Sequence, residues 1–148
     1  MTKTKIHTLS SLTHANSRVY GIATSNNEIQ FCTYVNAELQ IDLKVSEQVE
    51  FKINPQKTIK YSIYSYYDEL RMMNFELVSN VTKHGVIIGF LDSISFFLRC
   101  SSEYIKDEEN DLYTRLKNID SVLFVQKIED GNYSQKQRTI LRRLFPYI

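Results

Sequence analysis

Tyr64 and Tyr66 stand two residues apart, so on an extended strand their rings share one face, where they could stack nucleic-acid bases or line a ligand groove. The C-terminal end offers a second set of groups. Lys136, Arg138, Arg142 and Arg143 lie in a helical pattern with Arg138 and Arg142 four apart, a spacing that puts cations on one side and could neutralise phosphates. If all four engaged phosphates, log affinity would fall with log salt at a slope of about −3.6. These six residues form the candidate interaction surface. A plainer account competes with each set. A base-stacking platform interleaves its aromatics with several cations, whereas the charges near the tyrosines are Lys60, Asp68, Glu69 and Arg71, so half-buried packing is preferred. The basic helix reads first as a docked element whose apolar side completes the core and whose charges are solvated.

Other chemistry is thinly represented. The four glycines, at 21, 85, 89 and 131, compose neither a Walker loop nor a dinucleotide fingerprint. The three histidines, His7, His14 and His84, are not placed near carboxylates or cysteines at metal spacing, so no metal and no cofactor is expected. No nucleophile elbow frames a serine, and His84 reads as a turn residue. Asp68-Glu69 is a paired-carboxylate candidate, yet acidic residues at a hairpin turn are ordinary. No catalytic constellation emerges, and the expectation is a protein that is not an enzyme.

A chain of 148 residues is one domain by length and buries about 68–70% of its unfolded surface. Its 43% hydrophobic and 24% charged composition is globular. The N-terminal lysines precede no apolar stretch and the longest apolar run, 85–91, is too short to span a bilayer, so a cytoplasmic protein without membrane contact is expected. Cys32 and Cys100 sit among apolar neighbours and read as buried thiols rather than a disulfide. The net charge of +1 is unevenly spread. Residues 1–60 carry seven basic and five acidic groups, 61–130 seven and twelve, and 131–148 four and none. A basic tail on an acidic body either folds back on that body or reaches for an anionic partner.

The elements that position these groups follow from periodicity. Residues 1–16 have no sustained pattern and predict a loosely docked arm, 17–130 an α+β body and 131–148 a basic C-terminal helix, all within one domain. A strand over 19–24 leads into a helix capped by Asn26 or Asn27, with Ile29, Cys32, Val35 and Leu39 on its buried face and Phe31 beside them. Short strands or extended connections are predicted at 41–43 and 49–53. Residues 58–80 read as two strands about a turn at 68–71, followed by an apolar strand over 86–90 and another over 94–100. The simplest path is an antiparallel meander. Asp107, Glu108 and Glu109 fall in the first turn of a helix bearing Leu112, Leu116 and Ile119, where they offset the helix dipole. A strand over 122–128 then completes a strand-helix-strand half whose two strands are expected to run parallel.

Three segments resemble an uncharacterised bacterial family named for its IPExxxVDY motif: QFCTYVNAELQIDL from Gln30, YSYYDELRMMNFELVSN from Tyr64 and GVIIGFLDSISFFL from Gly85. The similarity spans about residues 17–128, with Phe31, Cys32, Asn36, Leu39, Tyr66, Asp68, Asn80, Gly85 and Ile88 among the matching positions. Gly89 and Phe90 stand where the family has proline and glutamate, and Ser95 and Phe96 where it has aspartate and tyrosine. The resemblance implies a small bacterial cytoplasmic protein and supplies no activity.

With no catalytic set and many aromatic residues available for contacts, the leading expectation is a non-enzymatic interaction or regulatory module that binds a protein partner or forms a homodimer. Nucleic-acid binding through the basic helix is the alternative from a different class. A small-ligand sensor built on 94–128 is the third, with no motif behind it.

Overall fold

The computed structural model describes residues 16–145. Six strands form one antiparallel sheet: β1 (Ser17–Thr24), β2 (Lys44–Asn54), β3 (Lys57–Asp68), β4 (Met73–Ser79), β7 (Phe96–Ser101) and β8 (Val122–Lys127), in the order β2-β3-β4-β7-β1-β8. A small hairpin of β5 (Val81–Thr82) and β6 (Gly85–Val86) stands apart from it. Three helices, α1 (Glu28–Leu39), α2 (Ile105–Lys117) and α3 (Gln135–Leu144), complete an α+β architecture.

Strand alternation sorts the apolar residues onto two sides of the sheet. Tyr20, Ile22, Phe75, Leu77, Leu98, Cys100 and Val125 face α1 and α2, whereas Val19, Ile59, Val78, Phe97 and Ile128 face the 80–95 segment and α3. The sheet is therefore covered on both sides. Gly21 fits where β1 is crowded, since a Cβ there would lie 3.0 Å from Ile94 Cδ1 and 3.2 Å from Ile128 Cδ1.

Helix α1 starts at a capping box. The Asn27 side chain accepts from Gln30 N at 2.9 Å while Gln30 Oε1 accepts from Asn27 N at 3.2 Å. It buries Phe31, Cys32, Val35 and Leu39, and Phe31 stacks on Phe96 with ring centroids 4.7 Å apart. Ile29, expected on that face, is 74% exposed, because Phe31 occupies the inward stripe with a larger apolar side chain. Asp107 and Glu108 lie in the first turn of α2, which buries Ile105, Leu112 and Leu116. Helix α3 opens with a second capping box, Ser134 with Gln137, and inserts Leu141 beneath the sheet, with Phe145 edge-on to Phe97 at 5.3 Å.

Of the two readings offered for residues 41–43, the connection is the one observed: β2 begins after them, and Asn36 holds the Leu43 backbone on both sides, accepting from its N–H at 2.8 Å and donating to its carbonyl at 3.3 Å. Two expectations need correction. The apolar run 86–90 is not a strand of the main sheet: β6 ends at Val86 and a 3₁₀ turn covers Gly89–Leu91. The meander therefore runs β2-β3-β4-β7, with the 80–95 segment inserted between its last two strands. Finally, β7 and β8 run in the same direction but do not touch, because β1 lies between them and pairs antiparallel with both. The crossover through α2 thus skips one place in the sheet. The expected arm at 1–16 lies outside the described residues except for Asn16, whose carbonyl accepts from Ser102 N at 3.2 Å.

Candidate interaction surface

Tyr64 and Tyr66 point toward the helix-covered side, where both are half-buried and packed on the core that includes Phe31 and Phe75. Tyr64 also lies beside Glu28 at the start of α1. Burial first, then that carboxylate, pushes its phenol up to about 12. Neither ring stands on an open stacking platform.

The basic helix folds its charges back onto the protein. Arg142 pairs with Asp130, and Arg143 donates to the Lys52 carbonyl while its guanidinium lies 4.4 Å from the centroid of the Phe51 ring. Arg138 donates to the Tyr133 carbonyl at 2.7 Å. Lys136 is exposed and has no ion pair among the described residues. The two candidate sets sit on opposite sides of the sheet, so the structure does not unite them into one surface.

Asp68 is a turn-former. It accepts from the backbone N–H groups of Leu70 and Arg71 at 3.0 and 3.2 Å and pairs with the Arg71 guanidinium at 3.4 Å, while Glu69 points to solvent. His84 is exposed, on the rim of an open groove of about 760 Å³ at the start of α1 that Glu28, Lys60, Lys83 and Ser95 also line. Two polar groups of the groove are satisfied by their neighbours: Glu28 accepts from Ser79 Oγ at 3.0 Å, and Ser95 Oγ bridges the Thr24 N–H and carbonyl. Among the described residues no three His, Cys, Asp or Glu side chains gather as metal ligands, and no helix is long and apolar enough to cross a membrane. Cys32 and Cys100 are both buried and free, and burial raises both thiols away from the reactive thiolate.

The surface that the residue patterns did not disclose is the β8 edge. The sheet ends on one side at β2, whose Lys44, Glu47, Glu50 and Lys52 supply the charges that usually blunt an edge. It ends on the other side at β8, where Leu123 is 78% exposed and Phe124 41% exposed. A bulge at this end of β8 shifts its register on β1, with Ala23 opposite Phe124 and Thr24 opposite Val122. Ile128 donates its backbone N–H to Val19 at 2.8 Å, and alternation from there turns the backbone groups of Val125 and Lys127 outward. Tyr34 of α1, 45% exposed, borders a neighbouring hollow that it shares with residues 118–121. The run VLFVQK shows a strand pattern, but which strands end the sheet depends on pairings distant in sequence, and only those pairings expose Leu123 and Phe124.

Behind the other end of β8 lies an ionic cluster. Glu109 of α2 accepts from Arg18 Nε at 2.9 Å and pairs with Lys127, which also reaches Glu129 at 3.5 Å. The Lys127 contact, with Arg18 adding to it, holds the Glu109 carboxyl below its ordinary range despite burial. The cluster ties the start of β1 and the end of β8 to α2. No family model matches this chain, and no curated protein matches it.

Proposed function

We propose that this chain is a protein-interaction module without catalytic activity of its own, and that its contact surface is the β8 edge. The observation that carries this reading is Leu123 and Phe124 standing exposed on an end strand whose outer backbone groups have no partner among the described residues. Exposed edge groups are ready for a further strand: main-chain hydrogen bonds supply affinity, and alternate side chains supply selectivity. The opposite edge, β2, also exposes Val45 but carries four charges along its length. The internal engagement of Arg138, Arg142 and Arg143 supports a protein partner over a nucleic acid.

The test compares wild type with Leu123→Lys and Phe124→Lys, both at exposed positions that the core tolerates. Sedimentation across a wide concentration range and capture from cell extract are read for each, with circular dichroism as the control for folding. Association lost in both variants supports the reading. A wild type that neither self-associates nor captures anything the variants fail to capture would refute it.

A further inference from the structure

We propose that the groove at the start of α1 is a binding site for a small phosphate-bearing anion, held by Lys60 from the sheet and by Lys83 and His84 from the β5-β6 turn. The site does not depend on the β8 edge. The groove exists because the β2-β3 hairpin outruns its cover. Strand β3 meets β4 only from Ile63 onward, opposite Val78, so residues 57–62 extend past that strand with β2 beside them. Helix α1 begins at Glu28, next to Tyr64. Ser62 and Lys60, two and four residues farther along the same face of β3, are left uncovered by the helix and line the groove. The β5-β6 turn brings Lys83 and His84 to the same hollow.

A volume of about 760 Å³ gives room for a small metabolite. The charge of the lining is positive. Lys60, Lys83 and His84 form no ion pair among the described residues. Of the lining residues only Glu28 is acidic, and its carboxylate is turned to Ser79 Oγ at 3.0 Å and to the Tyr64 phenol. Glu50 lies opposite Lys60 in the strand register, outside the groove lining and without an ion pair to it. The capping box already engages Asn27 at the helix end, so side chains supply the attraction for an anion. The residue types favour phosphate. No arginine lines the groove, so the two-pronged contact that best holds a planar carboxylate is missing, whereas lysine meets phosphate as a point charge. A phosphate monoester carries a charge of about −1.5 to −2 at neutral pH, enough to engage both lysines. Ser62 and Gln48, paired across β2 and β3 beside Lys60, offer neutral donors for the remaining oxygens.

Calorimetric titration with inorganic pyrophosphate at fixed ionic strength tests the site, with citrate as a carboxylate of comparable charge. The expected result is saturable binding to wild type that weakens at least tenfold in Lys60→Gln with Lys83→Gln. Binding is expected to be unchanged in Lys136→Gln, which removes an exposed lysine of α3 outside the groove. Lys60 and Lys83 are both exposed, so their replacement spares the core, and circular dichroism checks the folding of each variant. Heats that do not saturate, a double variant that binds as wild type does, or an equal loss in Lys136→Gln would overturn the proposal. Citrate bound as tightly as pyrophosphate would overturn the choice of phosphate. The β8 edge is read separately, by sedimentation of Leu123→Lys and Phe124→Lys, so either reading can fail without the other.

Discussion

Asn80 Oδ1 accepts a hydrogen bond from the backbone N–H of Ile88 at 2.7 Å, fixing the far side of the 80–95 segment from a side chain with no solvent exposure. The Asn80 amide group donates in turn to the carbonyls of Leu91 at 2.9 Å, Ile94 at 3.0 Å and Ile88 at 3.5 Å. Its own backbone is held too, by Ser95 O at 2.8 Å and Ile87 N at 2.8 Å. One asparagine therefore replaces the ladder that a strand over 86–90 would have made, and lets Ile87, Ile88, Leu91 and Ile94 cover the sheet without regular structure.

Asn80→Ala is expected to lower stability by about 3 kcal/mol or more, because it leaves the buried Ile88 N–H without an acceptor and opens a small void. Asn80→Asp at neutral pH is expected to cost at least as much, since a carboxylate would face three carbonyl oxygens in a buried site. Urea unfolding measures both. An unchanged midpoint in either variant would contradict the organising role of Asn80.

Gly85 precedes this segment with φ +134, and a Cβ there would lie 2.9 Å from Lys57 Nζ and 3.3 Å from Ile59 Cδ1. Gly85→Ala is expected to cost about 1–3 kcal/mol, chiefly through backbone strain. Gly89, where an added Cβ meets nothing within 4 Å, provides the contrast: Gly89→Ala is expected to stay within about 0.5 kcal/mol of wild type. Thermal unfolding of the two variants side by side checks the difference.

Local rules made much of this fold legible. The Asn27 and Ser134 caps, the acidic first turn of α2, the turn at Asp68 and the β3-β4 hairpin all follow from residues a few places apart. The run 86–90 misled because its apolar content satisfies a strand and a packed loop equally well; the deciding contacts come from Asn80, up to fourteen residues from its partners. The insertion of β1 between β7 and β8 was hidden for the same reason, since no local signal records a strand entering from the other end of the chain. Tyr64 and the arginines of α3 were visible as residue types, but their engagement with Glu28, Phe51, Lys52 and Asp130 depends on tertiary packing. Asn36, Asp68, Asn80 and Gly85 each hold a turn or loop in shape.

Glu109 links acid stability to the β1-β8-α2 junction. Its carboxyl is held below the ordinary value of 4.5 by Lys127 and Arg18, so the folded state binds its proton less readily than the unfolded chain does. The stabilisation is present above the unfolded value and is lost as pH falls through the lower folded one. Glu109→Gln is expected to cost about 1–2 kcal/mol at neutral pH and to flatten the acid limb of the stability curve, so that the two proteins converge once pH has fallen through the lowered folded value. Parallel curves across that range would assign the acid dependence elsewhere.

Tyr64 governs the alkaline side. Its phenol, raised from 10.0 to about 12 by burial and by Glu28, favours the folded state in its neutral form. That contribution is full below pH 10 and disappears as pH rises through about 12. Tyr64→Phe has no proton to lose there, so the stability gap between wild type and variant is expected to shift in favour of the variant as pH climbs from 10 to 12. Glu28→Gln is expected to bring the Tyr64 titration part of the way back toward its ordinary value, leaving the effect of burial. Difference absorbance of the phenolate, wild type minus Tyr64→Phe, reads the titration directly.

The arginines of α3 separate a structural helix from a nucleic-acid contact. Arg143 covers Phe51 and holds the Lys52 carbonyl, while Arg142 is paired with Asp130 at a site about half exposed. An exposed pair contributes at most about 1 kcal/mol, and the guanidinium over the ring adds a similar amount, so Arg142→Ala with Arg143→Ala is expected to cost about 1–2 kcal/mol. Binding to RNA and DNA is expected to be absent at physiological salt in both wild type and variant, because three of the four cations already have partners on the protein. Titrations across a salt series decide the matter. A log–log slope approaching about −3.6 in wild type that falls in the double variant would mean that these side chains leave their internal partners for phosphates, and the edge strand would then no longer be the leading contact surface.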